Sequence, residues 1–233
     1  MEAQLAACGL PYRFFDAIQV DLKKGWPDLY NRTRRLSYSG IDLRAGEMGC
    51  YLSHRAIWHN FLGGDEPLCL VIEDDVTLSL DFAEVVQSLC DMQQQWEFVR
   101  LFGVFNRKVY PSIALACGRT LVDYLQQPNG TQGYLMNRDA VKRLLAHTES
   151  MCHAIDNSID RDWEHGVRLM GIAPSVLSLE ENFDTTLGIQ TKLRLPWHGK
   201  VAREFHRAGS NLRKQLWLYK KARRLRLRSS DNQ

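Results

Sequence analysis

Three features of the sequence predict an α/β fold. Short apolar runs alternate with longer amphipathic segments from Tyr12 to Leu179, which is typical of strand and helix units. The apolar run at residues 68–72 is continuous and ends abruptly at a cluster of acids, as expected for a central strand buried on both faces. The chain has 233 residues, of which 45% are hydrophobic and 24% charged. This length suits one large domain plus an appendage.

The apolar periodicity predicts the elements in order along the chain. The predicted strands are residues 13–17, 68–72, 98–102, 134–136 and 171–179. The predicted helices are residues 46–62, residues 82–90, a helix opening near Asp139, and the second half of residues 155–170. The basic, turn-rich residues 23–40 are predicted to form a loop.

The cysteine usage and the hydropathy indicate a cytoplasmic protein. Six cysteines are scattered without a CxxC pair or a Cys/His cluster at metal-ligand spacing, and we expect no secretory signal. Cys50, Cys69 and Cys90 lie in apolar runs, where a free thiol usually packs as a small hydrophobe. No apolar run approaches about 18 residues, the length that a transmembrane helix needs. We therefore expect any contact with a membrane to be peripheral, on its inner face.

Glu73, Asp74 and Asp75 follow directly after the apolar run at residues 68–72. In open α/β sheets, ligands bind beyond the carboxyl ends of the strands. A cation keeps adjacent carboxylates ionised, and hard oxygen ligands suit Mg²⁺ or Mn²⁺ carrying a diphosphate. Such an ion neutralises the charge that grows on a departing nucleoside diphosphate. We therefore predict a metal site at Asp74 and Asp75.

Two other interpretations of the acids remain open. They are solvated turn residues or helix caps in many proteins. The second alternative is a phosphatase of the haloacid-dehalogenase type, because Glu73, Asp75 and Thr77 match the Asp-x-Asp-x-Thr pattern of such enzymes except at the first position. Glu73 would place the nucleophilic carboxylate one methylene further out than an aspartate, and the geometry for covalent catalysis would be lost. The phosphatase therefore ranks below the metal site.

The start of the helix predicted at residues 46–62 is a second candidate site. Its sequence opens with Gly-Glu-Met-Gly, and its glycines allow close approach of a ligand to backbone N–H groups. The alternative is that Glu47 only satisfies the helix dipole. Ser53 and His54 lie one to two turns further along. His54 is either a ligand contact or a histidine that is hydrogen-bonded within the core.

Five stretches of the sequence form a recognisable set. They are Tyr12-Arg13-Phe14-Phe15-Asp16-Ala17, Gly46-Glu47-Met48-Gly49-Cys50-Tyr51-Leu52-Ser53-His54, Val71-Ile72-Glu73-Asp74-Asp75-Val76, and more weakly Gly133-Tyr134-Leu135-Met136 with Ala140, and Ile155-Asp156. Together they resemble the family 25 glycosyltransferases, which include bacterial lipooligosaccharide and lipopolysaccharide core transferases. The resemblance covers residues 12–180.

The resemblance implies a GT-A-like nucleotide-diphospho-sugar transferase fold with a mixed, mostly parallel sheet flanked by helices. It implies a UDP-sugar donor, most often UDP-galactose, and a lipid-linked oligosaccharide acceptor. The acidic motif would correspond to a metal-binding Asp-x-Asp, with Asp75 as the principal ligand of Mn²⁺ or Mg²⁺ and Asp74 assisting. The donor-binding residues would be Glu47, Gly49, Ser53, His54 and Asp74.

The sequence departs from the family pattern at its start. Family members normally begin with a strand that reads approximately Ile-Asn-Leu-x-Arg, and this sequence begins inside the helix that follows that strand. We therefore expect either a start further upstream or a truncated relative. The second hypothesis for the function is accordingly an inactive relative that binds carbohydrate or a partner transferase.

Asp156 is the candidate catalytic base on the acceptor side. It stands among the oxygen-bearing side chains of Asn157, Ser158 and Asp160. A carboxylate within hydrogen-bond reach can take the proton of an acceptor hydroxyl as a sugar with oxocarbenium character arrives. The alternative is that Asp156 or Asn157 caps the following helix. Trp163, Trp197 and Trp217 are either sugar-stacking platforms or packed aromatic residues.

Residues 197–233 are predicted to form a basic C-terminal helical extension of a glycosyltransferase domain at residues 1–196. The extension carries eleven Lys or Arg against two acids, a net charge of +9. Apolar residues recur in it at helical spacing, at Phe205, Ala208, Leu212, Leu216, Tyr219 and Ala222. A basic amphipathic helix of this kind is attracted to an anionic membrane surface. The alternative is a helix whose apolar stripe packs on its own domain. Nucleic acid is not an expected partner, because aromatic stacking groups are not interleaved throughout the basic run as single-strand binders require.

Overall fold

The computed structural model describes residues 1–179 and 197–231 of the chain. Its strands are β1 (Leu68–Ile72), β2 (Val76–Leu78), β3 (Phe98–Arg100), β4 (Val109–Ala114), β5 (Thr120–Tyr124), β6 (Gly133–Asn137), β7 (Leu169–Ala173) and β8 (Leu177–Leu179). Its helices are α1 (Glu2–Cys8), α2 (Arg32–Ser39), α3 (Ala45–Leu62), α4 (Phe82–Asp91), α5 (Arg138–His147), α6 (Ile155–Ile159), α7 (Asp162–His165) and α8 (Trp197–Asp231). Two short 3₁₀ helices span Gln93–Gln95 and Ala116–Gly118.

Six strands form one mixed sheet in the order β1-β6-β3-β7-β5-β4, and β2 pairs with β8 in a separate ribbon. Only the neighbours β3 and β7 are parallel, and every other pair in the sheet is antiparallel. The prediction of an α/β fold with a mixed sheet is confirmed, but the prediction of a mostly parallel sheet is wrong. The reason is that β6 and β5 run against their neighbours. Strands β1, β3 and β7 still run in one direction, so their C-terminal ends meet at one edge of the sheet.

Helices cover both faces of this sheet because successive strand residues point to opposite faces. Phe98 of β3 packs in a core beneath α3 and α5, whereas the next residue, Val99, packs in a second core beneath α4. The same alternation places Met136 of β6 in the first core and Leu135 in the second. The sheet is therefore flanked by helices, as predicted.

Strand β1 has the predicted bounds but not the predicted place in the sheet. It is an edge strand that pairs with β6 on one side, so the prediction of a central strand is wrong. Its run is continuously apolar because Cys69 and Val71 pack in the first core while Leu68 and Leu70 pack against the second. Burial on two faces, and not a central position, explains the pattern.

Three other predicted elements differ in the structure. Residues 13–17 are exposed and form no strand. Part of the predicted loop at residues 23–40 is helix α2, which Asn31 caps by accepting a hydrogen bond from the backbone N–H of Arg34. In residues 155–170, helices α6 and α7 occupy the first two thirds and β7 begins at Leu169, so the predicted helix in the second half is largely wrong. The predicted strand at 171–179 is split between β7 and β8.

Helix α8 packs on α2 and α7 through the face opposite to its predicted apolar stripe. Leu225 is buried, and Lys221 Nζ lies 2.6 Å from Asp162 Oδ2. Leu212, Leu216 and Tyr219 of the stripe remain 63%, 56% and 72% exposed. The alternative that this stripe packs on its own domain is therefore wrong for these residues.

Two parts of the predicted extension stay predictions. The side chains of Phe205 and Trp197 lie outside the described part of the chain. The predicted domain boundary at residues 196 and 197 adjoins residues that also lie outside the description.

Candidate functional site

Gly49 and Ser53 hold the N-terminal segment against α3. The backbone N–H of Ile18 donates to Ser53 Oγ at 2.8 Å, and the Ser53 hydroxyl donates to the Gly49 carbonyl at 2.8 Å. A Cβ atom at position 49 would overlap the carbonyl oxygen of Ile18, so this close approach requires glycine. Both residues thus have a structural role, and the donor contacts predicted for them stay predictions.

Glu47 lies in the first turn of α3, where its Oε2 accepts a hydrogen bond from the backbone N–H of Arg44 at 2.7 Å. This contact satisfies one of the free N–H groups near a helix start. Part of the carboxylate is therefore used for capping, as the alternative interpretation expected. Its predicted role in donor binding is neither supported nor opposed by this bond.

His54 belongs to a chain of hydrogen bonds that runs from the core to Glu73. Trp58 Nε1 donates to the Tyr134 hydroxyl at 2.9 Å, and that hydroxyl lies 2.6 Å from His54 Nδ1. His54 Nε2 lies 3.4 Å from Glu73 Oε1, which also accepts from Thr131 Oγ1 at 2.5 Å. Every donor in the chain is used if the Tyr134 hydroxyl donates to Nδ1 and the imidazole proton resides on Nε2.

Glu73 is held as a carboxylate by this network. Burial alone would raise its pKa, but the hydrogen bonds from His54 and Thr131 outweigh burial and lower the pKa below its usual value. Both partners contact the same oxygen, Oε1. The phosphatase interpretation assigned the nucleophile to Glu73. In the structure, the carboxylate of Glu73 is hydrogen-bonded within the protein to His54 and Thr131.

Cys50 completes a cluster with His54 and Glu73. The thiol sulfur, an imidazole nitrogen and a carboxylate oxygen lie within 4.8 Å of one another. Burial, followed by the negative charges of Glu73 and Asp156, raises the pKa of Cys50 to about 12. A neutral thiol is a weak metal ligand, since metals bind the thiolate. The cluster is therefore better described as a polar core, and helix α6, which carries Asp156, packs against α3.

Asp74 and Asp75 form the turn between β1 and β2. The Glu73 N–H donates to the Gln132 carbonyl at 2.9 Å, which extends the pairing of β1 with β6 by one residue. Asp74 is exposed and Asp75 is half-buried. The two carboxylates thus lie just past the end of β1, as predicted, at the edge where β1, β3 and β7 end.

The donor set at this turn fits a hard divalent cation. In the part of the chain that the structure describes, the Cys50 cluster is the one group of three potential metal ligands from Cys, His, Asp and Glu side chains. Asp74 and Asp75 therefore lack a third such ligand among the described residues. A pair of carboxylates leaves coordination positions for phosphate oxygens and water, the arrangement that Mg²⁺ usually adopts with nucleotides.

Asp156 lies in the first turn of α6 and is oriented by two asparagines. Its Oδ1 accepts from the backbone N–H of Asn157 at 2.6 Å and from Asn157 Nδ2 at 2.9 Å. Its Oδ2 accepts from Asn129 Nδ2 at 2.9 Å. A carboxylate oxygen has about two acceptor positions, so Oδ2 keeps one beside the Asn129 bond. The capping alternative is wrong, because the N-cap residues of α6 and α7 are Ala154 and Arg161 and neither helix has a side-chain cap. The role of Asp156 as a base stays a prediction.

Sequence reasoning missed several residues of this site. Asn129 and Thr131 lie in the loop before β6, and loops next to a sheet edge commonly carry functional side chains. Arg100 is 2% exposed and lies 2.6 Å from Asp160 Oδ1 through Nη2. A charged residue inside the apolar run at residues 98–102 was the available signal, because buried charges need partners.

The neighbours of Asp160 have opposing effects on the pKa of its carboxyl group. Burial, together with the charges of Asp156 and Asp162, raises its pKa to about 6 although Arg100 opposes the shift. The geometry with Arg100 supports an ionised carboxylate near neutral pH.

The candidate stacking tryptophans already have cationic neighbours. Arg161 and Lys214 lie over the Trp163 ring, at 4.9 and 5.2 Å from its centroid. Arg224 lies over the Trp217 ring at 5.3 Å. Sugar stacking on either ring therefore stays a prediction. Among the described residues, no helix combines the length and the hydrophobicity that a membrane span requires.

Comparison with known proteins supports the residue pattern. The sequence model of glycosyltransferase family 25 (LPS biosynthesis protein) matches residues 1–159. The lipooligosaccharide biosynthesis protein lic2B of Haemophilus influenzae is 26% identical over 168 residues, which cover 65% of this chain and 58% of the relative.

Two animal proteins are also similar. Human procollagen galactosyltransferase 2 is 26% identical over 133 residues, which cover 55% of this chain and 20% of the relative. A rat protein described as probable inactive glycosyltransferase 25 family member 3 is 31% identical over 86 residues, which cover 35% of this chain and 14% of the relative. The chain thus spans only part of the length of each of these relatives.

Proposed function

The chain belongs to glycosyltransferase family 25, and from that premise we propose that it transfers a sugar from a UDP-sugar to a glycan acceptor. The name of the human relative supports galactose as that sugar. The name of the Haemophilus relative supports a lipooligosaccharide or lipopolysaccharide acceptor. The observation that carries the proposal is the position of Asp74 and Asp75 at the sheet edge, beside the loop before β6, which contacts both Glu73 through Thr131 and Asp156 through Asn129. This arrangement joins a cation site to a candidate base.

Asp75 and Asp74 would hold Mn²⁺ or Mg²⁺. The ion would neutralise the charge of the donor diphosphate and so make it a better leaving group. Asp75 is half-buried and would be the principal ligand, while the exposed Asp74 would assist or contact donor hydroxyls. Glu73 takes no part in the chemistry and fixes the start of the turn through His54 and Thr131.

Asp156 would accept the proton of the acceptor hydroxyl. The amides of Asn129 and Asn157 orient its carboxylate, and the remaining acceptor position on Oδ2 can receive a hydroxyl hydrogen. As the sugar arrives, proton transfer to this oxygen makes the acceptor a stronger nucleophile. Glu47, Gly49, Ser53 and His54 would shape the donor side through the packing of α3.

Calorimetric titration of UDP with and without Mn²⁺ tests the proposal. We expect binding that requires the metal and weakens at least about tenfold in Asp75→Asn, since removal of a metal ligand or its partners typically costs that much. Asp65→Asn is the matched control, because Asp65 is an exposed acid before the other end of β1. Metal-independent binding that Asp75→Asn leaves unchanged would contradict the metal site.

The second candidate function is an inactive relative that binds carbohydrate or a partner protein. The similarity to the rat protein named as probably inactive favours it. Absence of UDP binding by the wild-type chain under all metal conditions would select this function over the transferase.

Helix α8 would attach the enzyme to the inner face of the cytoplasmic membrane. The exposed stripe of Leu212, Leu216 and Tyr219 faces away from the domain, and the exposed Arg213 and Lys220 flank it. Apolar side chains would enter the lipid interface while the cations contact anionic headgroups. This orientation would place a lipid-linked acceptor beside the enzyme.

Co-sedimentation with vesicles that contain phosphatidylglycerol tests this attachment. The double variant Leu212→Glu and Leu216→Glu should lose most of the bound fraction, because it puts two carboxylates into the stripe. Gln215→Glu is the control, because Gln215 is exposed on the same helix but is not part of the stripe. Equal sedimentation of the wild type and the double variant would disprove membrane docking through the stripe.

A further inference from the structure

A cavity of about 280 Å³ lies between α8, the α6–α7 region and the loop that follows β5. Asn129 and Asn157, the two amides that orient Asp156, both line it. From the opposite side, α8 contributes Asn211 and Lys214. The cavity therefore adjoins the candidate base, and its volume lies near the low end of the roughly 300–1,000 Å³ of small-molecule sites.

The cavity wall carries hydrogen-bonding groups that the described residues leave unused. Gln127 lines the cavity and is 9% exposed, and its Oε1 accepts no hydrogen bond from the described part of the chain. Trp163 also lines the cavity, and among the described residues its buried Nε1 has no acceptor. Buried polar groups are normally paired, and each unpaired one costs about 1–3 kcal/mol. A ligand hydroxyl that reaches these two buried atoms would supply the missing partners.

Three of the five charged side chains that line the cavity form ion pairs within the protein. Asp160 pairs with Arg100, and Asp162 pairs with Lys221 at 2.6 Å. Arg161 pairs with Glu164 and donates to Ser210 Oγ at 3.0 Å. Arg107 and Lys214 also line the cavity and lie over the rings of Phe105 and Trp163, so the lining combines amide, hydroxyl and aromatic groups with two cations. A polyhydroxylated ligand suits this lining, because each sugar hydroxyl both donates and accepts hydrogen bonds.

We propose that this cavity binds the sugar of the acceptor glycan, with Gln127 Oε1 and Trp163 Nε1 as hydroxyl partners and Asn129 and Asn157 at the end nearest Asp156. The identification of the bound saccharide as the acceptor rests on the proposed transferase function. The binding of a saccharide in the cavity is tested separately from that function. Helix α8 then has two roles, since one face closes the cavity and the other is the exposed stripe.

Ligand-observed saturation-transfer NMR tests the cavity, with a mixture of the methyl β-glycosides of glucose, galactose and N-acetylglucosamine as the probe. The full-length wild type should transfer saturation to at least one glycoside. Asn211→Trp fills the cavity and should reduce that signal at least about fivefold. Gln215→Trp is the matched control, because Gln215 is a polar residue one turn further along α8 that does not line the cavity.

Gln127→Leu provides a second variant of similar size that removes only the Oε1 acceptor and the amide donors. It should also weaken the signal, while the thermal unfolding midpoint shows whether each variant folds. Absence of saturation transfer to the wild type, or equal transfer to the wild type and to folded Asn211→Trp, would overturn the proposal.

Titration of UDP and Mn²⁺ into the same samples separates the two proposals. Normal UDP binding by Asn211→Trp with loss of the glycoside signal supports both. Glycoside binding that depends on Asn211 without any UDP binding would contradict the transferase and leave the saccharide site standing. UDP binding without any glycoside binding would contradict the saccharide site alone.

Discussion

The α3 side and the α6 side of the candidate site differ in how their polar groups are used. On the α3 side, the side chains of Ser53 and His54 form hydrogen bonds with other groups of the protein. On the α6 side, Asp156 keeps an acceptor position, and Gln127 Oε1 has no donor among the described residues. A tightly bonded region supplies a fixed geometry, and a region with unused groups supplies places for a ligand. The comparison favours α3 as a scaffold and α6 as a contact surface.

The largest effect that tests this comparison is expected for Asp156→Asn. Loss of a general base typically lowers a rate by about 10²–10⁴, and the asparagine keeps the size of the side chain. Transfer measured with saturating donor, Mn²⁺ and lipooligosaccharide acceptor should fall by that factor, while UDP affinity should stay within about twofold. Asp139→Asn, an exposed acid on α5, serves as the control. Near-normal transfer by Asp156→Asn would show that the base lies elsewhere.

We expect the free energy of unfolding to decrease in acid because of His165, which lies on the α6–α7 side. Its Nε2–H donates to the Ile159 carbonyl at 2.8 Å, and its Nδ1 accepts from the Val167 N–H at 3.1 Å, so the imidazole is neutral. Burial lowers its pKa from 6.5 to about 4. Between these values the unfolded chain binds the proton more strongly than the folded chain does. The stabilising contribution is therefore complete above pH 6.5 and is lost as the pH falls toward 4.

Urea unfolding at pH 7, 6, 5 and 4.5 measures this effect. Each pKa unit corresponds to about 1.4 kcal/mol, so His165 accounts for a decrease of roughly 3 kcal/mol in the free energy of unfolding over the window. His165→Asn should reduce the slope of the pH dependence in that window, while His153, whose pKa burial lowers to about 3, keeps its own contribution. An unchanged slope in His165→Asn would assign the acid sensitivity to other groups.

The smallest expected effect tests the scaffold role of α3 by comparing two glycines of the same helix. Gly49→Ala places a Cβ against the Ile18 carbonyl, whereas a Cβ at Gly46 meets nothing within 4 Å. Overpacking typically costs about 1–3 kcal/mol, so Gly49→Ala should be destabilised by that amount. Gly46→Ala should be neutral or up to about 1 kcal/mol more stable, because alanine favours helix. Thermal unfolding midpoints of the two variants provide the comparison. Equal midpoints would contradict the requirement for glycine at position 49 in the packing against Ile18.

The sequence predicted best the elements whose apolar period is strong and local. Helices α3 and α4 and strand β1 have nearly the predicted bounds, because their buried faces repeat at helical or strand spacing. The predicted strand at residues 13–17 is wrong, because these residues are exposed and pair with no strand of the described part of the chain. The exposed edge strand β4 was missed for a related reason, since its residues are not consistently buried.

The sequence by itself determined the acids after β1, the family motifs and the basic apolar stripe of α8, because each depends on residue type and spacing along the chain. Only the tertiary structure decided that β1 is an edge strand, since strand neighbours are set by contacts between distant segments. It also decided that Asp156 meets Asn129 and that α8 turns its stripe outward while closing a cavity with its other face. These pairings join residues far apart in sequence, and no local period encodes which of them will meet.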